Sequence, residues 1–294
     1  MKRLAWELKQ LVFHNRDGSY STQRQRLANL LLFAKQLEEA GYRGMRAVSL
    51  QRKHVNALLD IWRREPSSRS GGPLSGATLK NRLCMVRWWA SKINKPGVVP
   101  KTNTELGIHR RYYNKKPKAI ELSPGILEKI TDPYVAMSLK LQRAFALRRE
   151  EAMKIQPDIA DHGDRIVLKA SWCKGGRQRW IPITHDRQRQ LLDEARLLAK
   201  GGSLIPKYKS YRQQLSRFEY QTHHAGIGNT HGLRHRCAQD WYRELAGWPA
   251  PADGGPCRAL LQDEQRQTDT AVRQQIAYRL GHSRIDITNA YLWY

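Results

Sequence analysis

Cysteine and long apolar runs are both scarce in this sequence. Its four cysteines lie far apart and include no C-x-x-C pair, which argues against a zinc knuckle and a disulfide framework. No apolar run approaches the roughly 20 residues that a membrane-spanning helix needs. Residues 1–13 are basic and mildly apolar, but no small-residue cleavage site follows them, so they make a poor signal peptide. We therefore expect a cytoplasmic protein with reduced thiols and no membrane partner.

Acidic residues are also few, at 26 Asp and Glu against 52 Lys and Arg in 294 residues, for a net charge of +26. Such a charge repels itself in a compact state unless a polyanion neutralises it. Nucleic acid is the favoured polyanion, because lysine and arginine contacts with phosphate supply most non-specific binding energy. An anionic membrane surface and a ribosomal partner are the alternatives that charge alone leaves open. Hydrophobic residues make up 40%, enough for a packed core.

The first third of the chain carries helical periodicity and no strand pattern. Residues 1–19 are predicted as a loose basic arm that ends in a turn. A helix is predicted from Ser21 to Gly41, and a second helix begins at Ser49 as its N-cap. The polar, glycine- and proline-containing stretch 64–76 is predicted as a loop.

A third helix is predicted from about Thr78. Its inward stripe consists of Leu79, Leu83, Val86, Ala90 and Ile93. The basic residues Lys80, Arg82 and Arg87 lie off that stripe. They form either a face that contacts DNA or an ordinary solvated charged face.

Residues 94–118 change in character and are predicted as a linker between two domains. Prolines and a glycine open the segment, and basic residues close it. The candidate DNA-binding residues of the linker are Arg110, Arg111, Lys115, Lys116 and Lys118. The linker either follows a phosphate backbone or is a plain solvated tether. The predicted organisation is thus a helical domain at 1–93, a linker at 94–118 and a second domain at 119–294.

The second domain is predicted as mixed α+β, mainly helical with a small antiparallel sheet. Ser123 and Pro124 begin a helix, and a longer helix covers 134–147. Two strands, 165–168 and 179–183, flank a turn that contains Lys174. Helices resume from about Asp186 to the end.

Six residues of the second domain suit chemistry on a phosphodiester: Arg148, Lys174, His231, Arg234, His282 and Tyr291. An arginine can fork onto two phosphate oxygens. A lysine at a glycine-flanked hairpin tip can swing toward a leaving oxygen. His231 and Arg234 share one helical face at i and i+3. A short helix is predicted to carry His282 near its start and Tyr291 nine positions later.

The order of these motifs closely resembles the tyrosine recombinase (phage integrase) family. The resemblance rests on Leu147-Arg148, on the lysine hairpin, on His231-Gly232-Leu233-Arg234-His235, on Leu280-Gly281-His282 and on Tyr291. It implies that Tyr291 attacks DNA to give a 3′-phosphotyrosine bond and a free 5′-hydroxyl, with the other five residues as catalytic partners. The family spacing assigns the nucleophile to Tyr291 and not to Tyr294. No metal and no nucleotide cofactor are expected.

The resemblance also implies a SAM-like core-binding module at 1–93 and a catalytic domain at 119–294. The expected partners are double-stranded DNA with specific recombination sites, a homo-tetramer on that DNA, and an accessory DNA-bending or directionality factor. The expected function is site-specific recombination that integrates or excises a mobile element. The alternatives are a recombinase relative that binds DNA without cleavage, and a type IB topoisomerase that relaxes DNA.

Four features depart from the family pattern. Ala146 stands where the family has glycine, and Arg236 stands where relatives have a small hydroxyl residue. The stretch between Arg234 and His282 is long, and its extra length is assigned to 247–257. Only three residues follow Tyr291, so we expect either a removed tail or a neighbour contact made by the insertion through Trp248. An exposed loop without a partner is the alternative for the insertion.

Overall fold

The computed structural model describes residues 2–67, 71–108 and 116–294, and the chain divides into two compact units, Met1–Tyr112 and Tyr113–Tyr294. The first unit is helical apart from an isolated bridge between Pro66 and Pro73. Its helices are α1 (Arg3–His14), α2 (Tyr20–Glu39), α3 (Arg52–Arg64) and α4 (Gly76–Lys92). The predicted all-helical character of this part of the chain is confirmed.

Helix α1 corrects the prediction of a loose N-terminal arm. Leu4, Leu8 and Val12 follow one another at intervals of four and are all buried in the core of the first unit. This spacing places them on one face of a helix. The signal was present in the sequence, but the surrounding charge obscured it.

The first residues of α3 and α4 can be compared with those predicted from the sequence. Helix α3 begins at Arg52, with Gln51 and His54 forming a capping box, so the predicted N-cap at Ser49 was wrong. Helix α4 begins at Gly76, where the Ser75 hydroxyl accepts the Thr78 N–H at 3.1 Å. The predicted inward stripe of α4 lies in the core or packs against it.

Part of the predicted linker folds against the first unit. Val99, Leu106 and Ile108 are buried in its core. Arg87 holds the segment, because its guanidinium donates to the Pro100 carbonyl at 3.0 Å and to Asn103 Oδ1 at 2.9 Å. Residues 96–108 are therefore packed against the first unit and are not the solvated tether that the sequence left open. Residues 109–115, with the candidates Arg110, Arg111 and Lys115, lie outside the described residues.

The second unit is mainly helical with one small sheet, as predicted. Its helices are α5 (Pro124–Glu128), α6 (Pro133–Phe145), α7 (Arg149–Lys154), α8 (Pro157–Ala160), α9 (Asp186–Ala199), α10 (Tyr211–His224), α11 (His231–Ala246), α12 (Asp263–Arg279) and α13 (Asn289–Leu292). Strands β1 (Arg165–Leu168) and β2 (Arg179–Pro182) pair antiparallel, with Ile166 opposite Ile181. Within the described residues, no helix has both the length and the apolarity that a membrane span requires.

Helix α11 is central to the second unit and packs against α6, α12 and α13. Its apolar residues Cys237, Ala238, Trp241 and Tyr242 belong to the main core. The same packing brings the first turn of α11 beside the α6–α7 junction and beside α13. Residues distant in sequence meet there.

The insertion at 247–257 folds back onto its own unit. Trp248 packs against the core, with its ring centroid 6.5 Å from that of Tyr242. Asp253 accepts hydrogen bonds from Arg236 at 2.9 Å and from Arg243. The insertion is therefore not a free loop, and Trp248 is partly buried against its own unit. A contact between the insertion and a neighbouring molecule stays a prediction. Arg236, which departs from the family pattern, has an intramolecular role here.

Candidate active site

Arg148 lies at the junction of α6 and α7, where it is the N-cap of α7. One turn later, Glu151 accepts the Arg148 backbone N–H at 2.7 Å and its Nη1 at 2.7 Å. Nη2 donates to the Leu280 carbonyl at 3.3 Å. The Arg148 side chain keeps 24% of its surface exposed, so it is not sealed off from solvent.

The first turn of α11 presents His231 and Arg234 on one face, as the sequence predicted from their spacing. His231 Nε2 lies 3.0 Å from the Tyr291 hydroxyl, and Arg234 Nε donates to the same hydroxyl at 3.3 Å. Arg234 is fully buried and also donates to the carbonyls of Ala146 and Leu280. It therefore joins the α6–α7 junction, the end of α12 and α13.

Tyr291 is buried on α13, with 6% of its surface exposed. Its ring stacks on that of His235, with centroids 4.3 Å apart. Gln239 donates to the Tyr291 carbonyl at 3.1 Å. By contrast, Tyr294 is 57% exposed and lies over Arg258 and Arg273, away from this cluster.

His282 is close to Tyr291 but not on the same helix, so the predicted single helix was wrong. Helix α12 ends at Arg279, and the chain turns at Gly281, whose φ is 65°. His282 Nδ1 lies 3.0 Å from the Thr288 hydroxyl, and its ring centroid is 5.2 Å from that of Tyr291. Tertiary folding, and not helical periodicity, sets this proximity.

Lys174 is the one predicted catalytic residue that the structure does not place in the cluster. It lies in an exposed turn between β1 and β2, next to Gly175 and Gly176 with φ values of 80° and 66°. Across the described parts of the chain, Lys174 has no hydrogen-bond or ion-pair partner. The other five predicted residues are together.

Burial and positive charge keep the histidines of the cluster neutral. Burial, followed by the charges of Arg234 and Arg148, lowers the pKa of His231 to about 4 and that of His282 to about 3. Burial and the neighbouring His231 lower the pKa of His235 to about 3. A neutral imidazole can accept a proton. The site therefore holds neutral imidazoles beside Tyr291 that can act as a base.

The arginines of the cluster surround a single buried carboxylate. Burial lowers the pKa of Arg234 to about 10, against the opposing effect of Tyr291. Burial alone would raise the pKa of Glu151, but its hydrogen bonds and ion pairs with Arg179, together with Arg148, hold it at about 2. The site thus carries more positive than negative charge at the place where a phosphate is expected.

Sequence reasoning missed two contributors to this site, His235 and the Arg179–Glu151 pair. Arg179 is 4% exposed and donates to both carboxylate oxygens of Glu151. Strand alternation could have shown this, because Arg179 and the buried Ile181 share one face of β2. His235 follows His231 by one helical turn and could have been found by the i, i+4 rule.

The candidate DNA-binding residues of α4 are largely engaged inside the first unit. Arg82 forms two hydrogen bonds with Glu65, at 2.6 and 2.9 Å, and lies over the Trp62 ring. Arg87 holds the 96–108 segment, and Lys80 is partly buried. In the second unit Lys116 and Lys118 are exposed. Contact of any of these residues with DNA stays a prediction.

No group of three or more His, Cys, Asp or Glu residues is placed to hold a metal ion in the part of the chain that the structure describes. Apart from the Glu151 carboxylate that Arg148 and Arg179 share, the groups that converge at the cluster are guanidinium, imidazole and phenol. These are suited to binding an oxyanion and to moving a proton.

Comparison with known proteins agrees with this geometry. The family model of the phage integrase N-terminal domain matches residues 1–95, and that of integrase matches 121–240. A search of curated protein sequences found no match.

Several solved structures share the fold across nearly the whole chain. The XerH site-specific recombinase, in a post-cleavage complex with a palindromic difH substrate, is 16% identical with a TM-score of 0.62, covering 99% of this chain and 81% of that one. A lambda integrase dimer bound to a COC′ core site is 14% identical with a TM-score of 0.58, covering 98% and 76%. The Tn1549 transposon integrase with circular intermediate DNA is 14% identical with a TM-score of 0.56, covering 100% and 96%. At these identities the likeness is one of fold.

Proposed function

Since this chain belongs to the tyrosine recombinase (phage integrase) family and is a site-specific DNA recombinase, we propose that Tyr291 is the nucleophile that cleaves its DNA. The Tyr291 oxygen attacks a backbone phosphorus, and the bond to the 5′ oxygen breaks. The products are a 3′-phosphotyrosine and a free 5′-hydroxyl. Because the bond energy is retained in the ester, a 5′-hydroxyl of another strand can reverse the step and join the DNA to a new partner.

The observation that carries this proposal is the pair of contacts at the Tyr291 hydroxyl. A tyrosine hydroxyl ordinarily has a pKa of about 10 and needs a base in order to attack. His231 lies at 3.0 Å and is neutral, because burial and nearby arginines lower its pKa to about 4. With its own proton on Nδ1, His231 accepts the tyrosine proton at Nε2.

Arg148, Arg234 and His282 are proposed to hold the phosphate. Both guanidinium groups donate to the Leu280 carbonyl, so they converge on one place and can stabilise the charge that grows in the transition state. When the Thr288 hydroxyl donates to Nδ1 of His282, the ring proton lies on Nε2, which is then a donor for a phosphate oxygen. Lys174 moves in from its exposed turn and gives its proton to the leaving 5′ oxygen.

The proposed partners are those that the family resemblance implies. DNA with specific recombination sites is the substrate, and a homo-tetramer bridges two sites on that DNA. An accessory DNA-bending or directionality factor selects integration or excision of a mobile element. The proposed compartment is the cytoplasm.

A covalent-adduct assay tests the nucleophile. Incubated with nicked target DNA, the protein should form an adduct that survives boiling in detergent, and Tyr291→Phe should abolish it. Tyr294→Phe is the matched control, because Tyr294 is exposed and outside the cluster. An adduct formed by Tyr291→Phe would contradict the assignment.

A plasmid relaxation assay run beside a two-site recombination assay separates the alternatives. Joined products with exchanged partners are expected. Relaxation alone would indicate topoisomerase activity, and binding without either product would indicate a non-cleaving relative.

A further inference from the structure

We propose that Arg179 is a positioning residue that holds Arg148, the turn before His282 and the Lys174 hairpin in one arrangement. This inference rests on the roles proposed above for those three residues. Among the described residues, Arg179 forms no hydrogen bond with Tyr291, so it acts through its neighbours. Three separate contacts of its buried guanidinium support the proposal.

The first contact reaches Arg148 through Glu151. Arg179 Nη1 and Nη2 donate to Oε1 and Oε2 of Glu151 at 2.8 and 2.7 Å. The same two oxygens accept Nη1 and the backbone N–H of Arg148. The side chains of Arg179 and Glu151 are only 3% and 1% exposed. Removing one partner would leave the other charge buried without compensation, and Glu151 would then turn toward the remaining arginine.

The second contact supports the turn that leads to His282. Arg179 Nε donates to the Arg279 carbonyl at 2.9 Å, at the last residue of α12. A Cβ added at Gly281 would lie 2.9 Å from Arg179 Cδ, so the turn rests directly on this side chain. Leu280, between these two residues, supplies the carbonyl that both Arg148 and Arg234 use.

The third contact stabilises the β1–β2 hairpin next to the turn that carries Lys174. Arg179 is paired with Leu168. Of the four residue pairs between β1 and β2, this pair is nearest the hairpin tip. Its Nη1 also lies 3.5 Å from Cys173 Sγ, and Cys173 directly precedes Lys174. The backbone beside the exposed lysine is therefore tied to the buried guanidinium.

Only arginine can make these contacts together. Its planar fork offers two parallel N–H groups to a carboxylate and a third N–H, on Nε, to the Arg279 carbonyl. A lysine keeps the charge but offers one nitrogen, which cannot serve both positions. Arg179→Lys therefore removes the hydrogen-bond geometry of the guanidinium while it keeps the positive charge.

Single-turnover cleavage with protein in excess over nicked DNA tests the proposal. Arg179→Lys should lower the cleavage rate by about a hundredfold, the scale of a small misplacement of catalytic groups, with an unchanged Kd for DNA. Arg165→Lys is the control, because Arg165 lies on the paired strand with a side chain 47% exposed, and it should cleave at the wild-type rate. A wild-type rate for Arg179→Lys would overturn the proposal.

A double-mutant cycle shows whether Arg179 acts through Arg148. In an Arg148→Ala background, Arg179→Lys should cost much less than its loss in the wild type, since the residue that it positions is gone. Equal losses in both backgrounds would indicate a general structural role and would overturn the proposal.

Glu151→Gln provides a second variant in case Arg179→Lys does not fold. It keeps the side-chain volume and removes the charge that joins the two arginines, so the same loss of rate with unchanged binding is expected. A Glu151→Gln protein that cleaves at the wild-type rate would overturn the proposal. If the wild type forms no adduct, the proposed function fails. If the wild type forms the adduct and Arg179→Lys and Glu151→Gln both cleave at the wild-type rate, only the positioning role fails.

Discussion

At the scale of single residues, Ala146 has a backbone conformation that glycine adopts more easily. Its φ is 48° in the left-handed region, which costs a residue with a Cβ roughly 1–2 kcal/mol. The turn points the Ala146 carbonyl at Arg234, which donates to it. Ala146 therefore adopts the left-handed turn that leads into Arg148 although it carries a Cβ.

Lys174 gives a prediction that depends on the leaving oxygen. Lys174→Ala should lower cleavage by about 10²–10⁴-fold, the usual range for a general acid. DNA in which sulfur replaces the 5′ leaving oxygen should restore the rate, because a thiolate leaves without a proton. Thermal melting should not change, since the side chain is exposed.

Arg148→Ala is the comparison for this experiment, because sulfur substitution should not rescue a variant that has lost a phosphate ligand. Equal rescue of both variants, or no rescue of Lys174→Ala, would remove Lys174 from the proton-transfer role.

The buried histidines give a prediction about pH. Their pKa values lie at about 4 for His231 and about 3 for His235 and His282, below the ordinary value of about 6.5. The unfolded state therefore binds more protons than the folded state as pH falls below about 6.5, and the contribution of these groups to stability is lost between there and about pH 3–4.

Thermal melting should accordingly shift to lower temperature as pH falls from 7 to 4, and ring-proton NMR signals of these histidines should not titrate between pH 5 and 8. His282→Gln should reduce the slope of melting temperature against pH. A titration of His231 near pH 6.5 in the free protein would contradict the neutral-base role.

At the scale of elements, the start of α11 depends on one glycine. A Cβ at Gly232 would lie 2.5 Å from the Lys118 carbonyl and 2.5 Å from Ile120 Cγ1. The Ile120 N–H donates to the Gly232 carbonyl at 3.1 Å. The chain segment that enters the second unit is thus pressed against the helix that carries His231 and Arg234.

Gly232→Ala should therefore displace either the 118–120 segment or the first turn of α11. We expect a loss of about 1–3 kcal/mol in the free energy of unfolding, the range for overpacking, and a lower cleavage rate. Gly228→Ala is the control, because nothing lies within 4 Å of a Cβ there. A Gly232→Ala variant with wild-type melting temperature and cleavage rate would show that the close contact between Gly232 and the 118–120 segment is not required.

At the scale of the whole molecule, the net charge of +26 predicts how DNA binding responds to salt. Each neutralised phosphate adds a slope of about −0.9 to the plot of log K against log salt. Charge reversal at Lys115, Lys116 and Lys118 should weaken binding to all sequences about equally. It should also reduce the steepness of that slope by about one for each lysine that pairs with a phosphate in the wild type.

Fluorescence anisotropy with specific and unrelated duplexes at several salt concentrations measures both quantities. A weakening confined to the specific duplex would mean that the linker region reads bases and not phosphates.

The sequence by itself indicated the family through the order of its motifs. It also predicted the mixed helical fold and the candidate reactive groups, because these depend on local spacing. The stripe of α4 and the i, i+3 pair at His231 and Arg234 follow from helical geometry alone. The two strands around Lys174 follow from alternation and glycine. In each case the signal is a spacing between residues that lie within one element or in two elements joined by a short turn.

Only the tertiary structure decided how those groups meet and what holds them. The Leu280 carbonyl accepts from Arg148 and Arg234, and Arg179 shares Glu151 with Arg148. Of these contacts only the Arg148–Glu151 pair, three residues apart, is local, and no local pattern connects the other positions. The packing of 96–108 and of the insertion also depended on partners far away in the chain. The burial that lowers the pKa values of the histidines arises from the same long-range packing, so it could not be read from spacing along the chain.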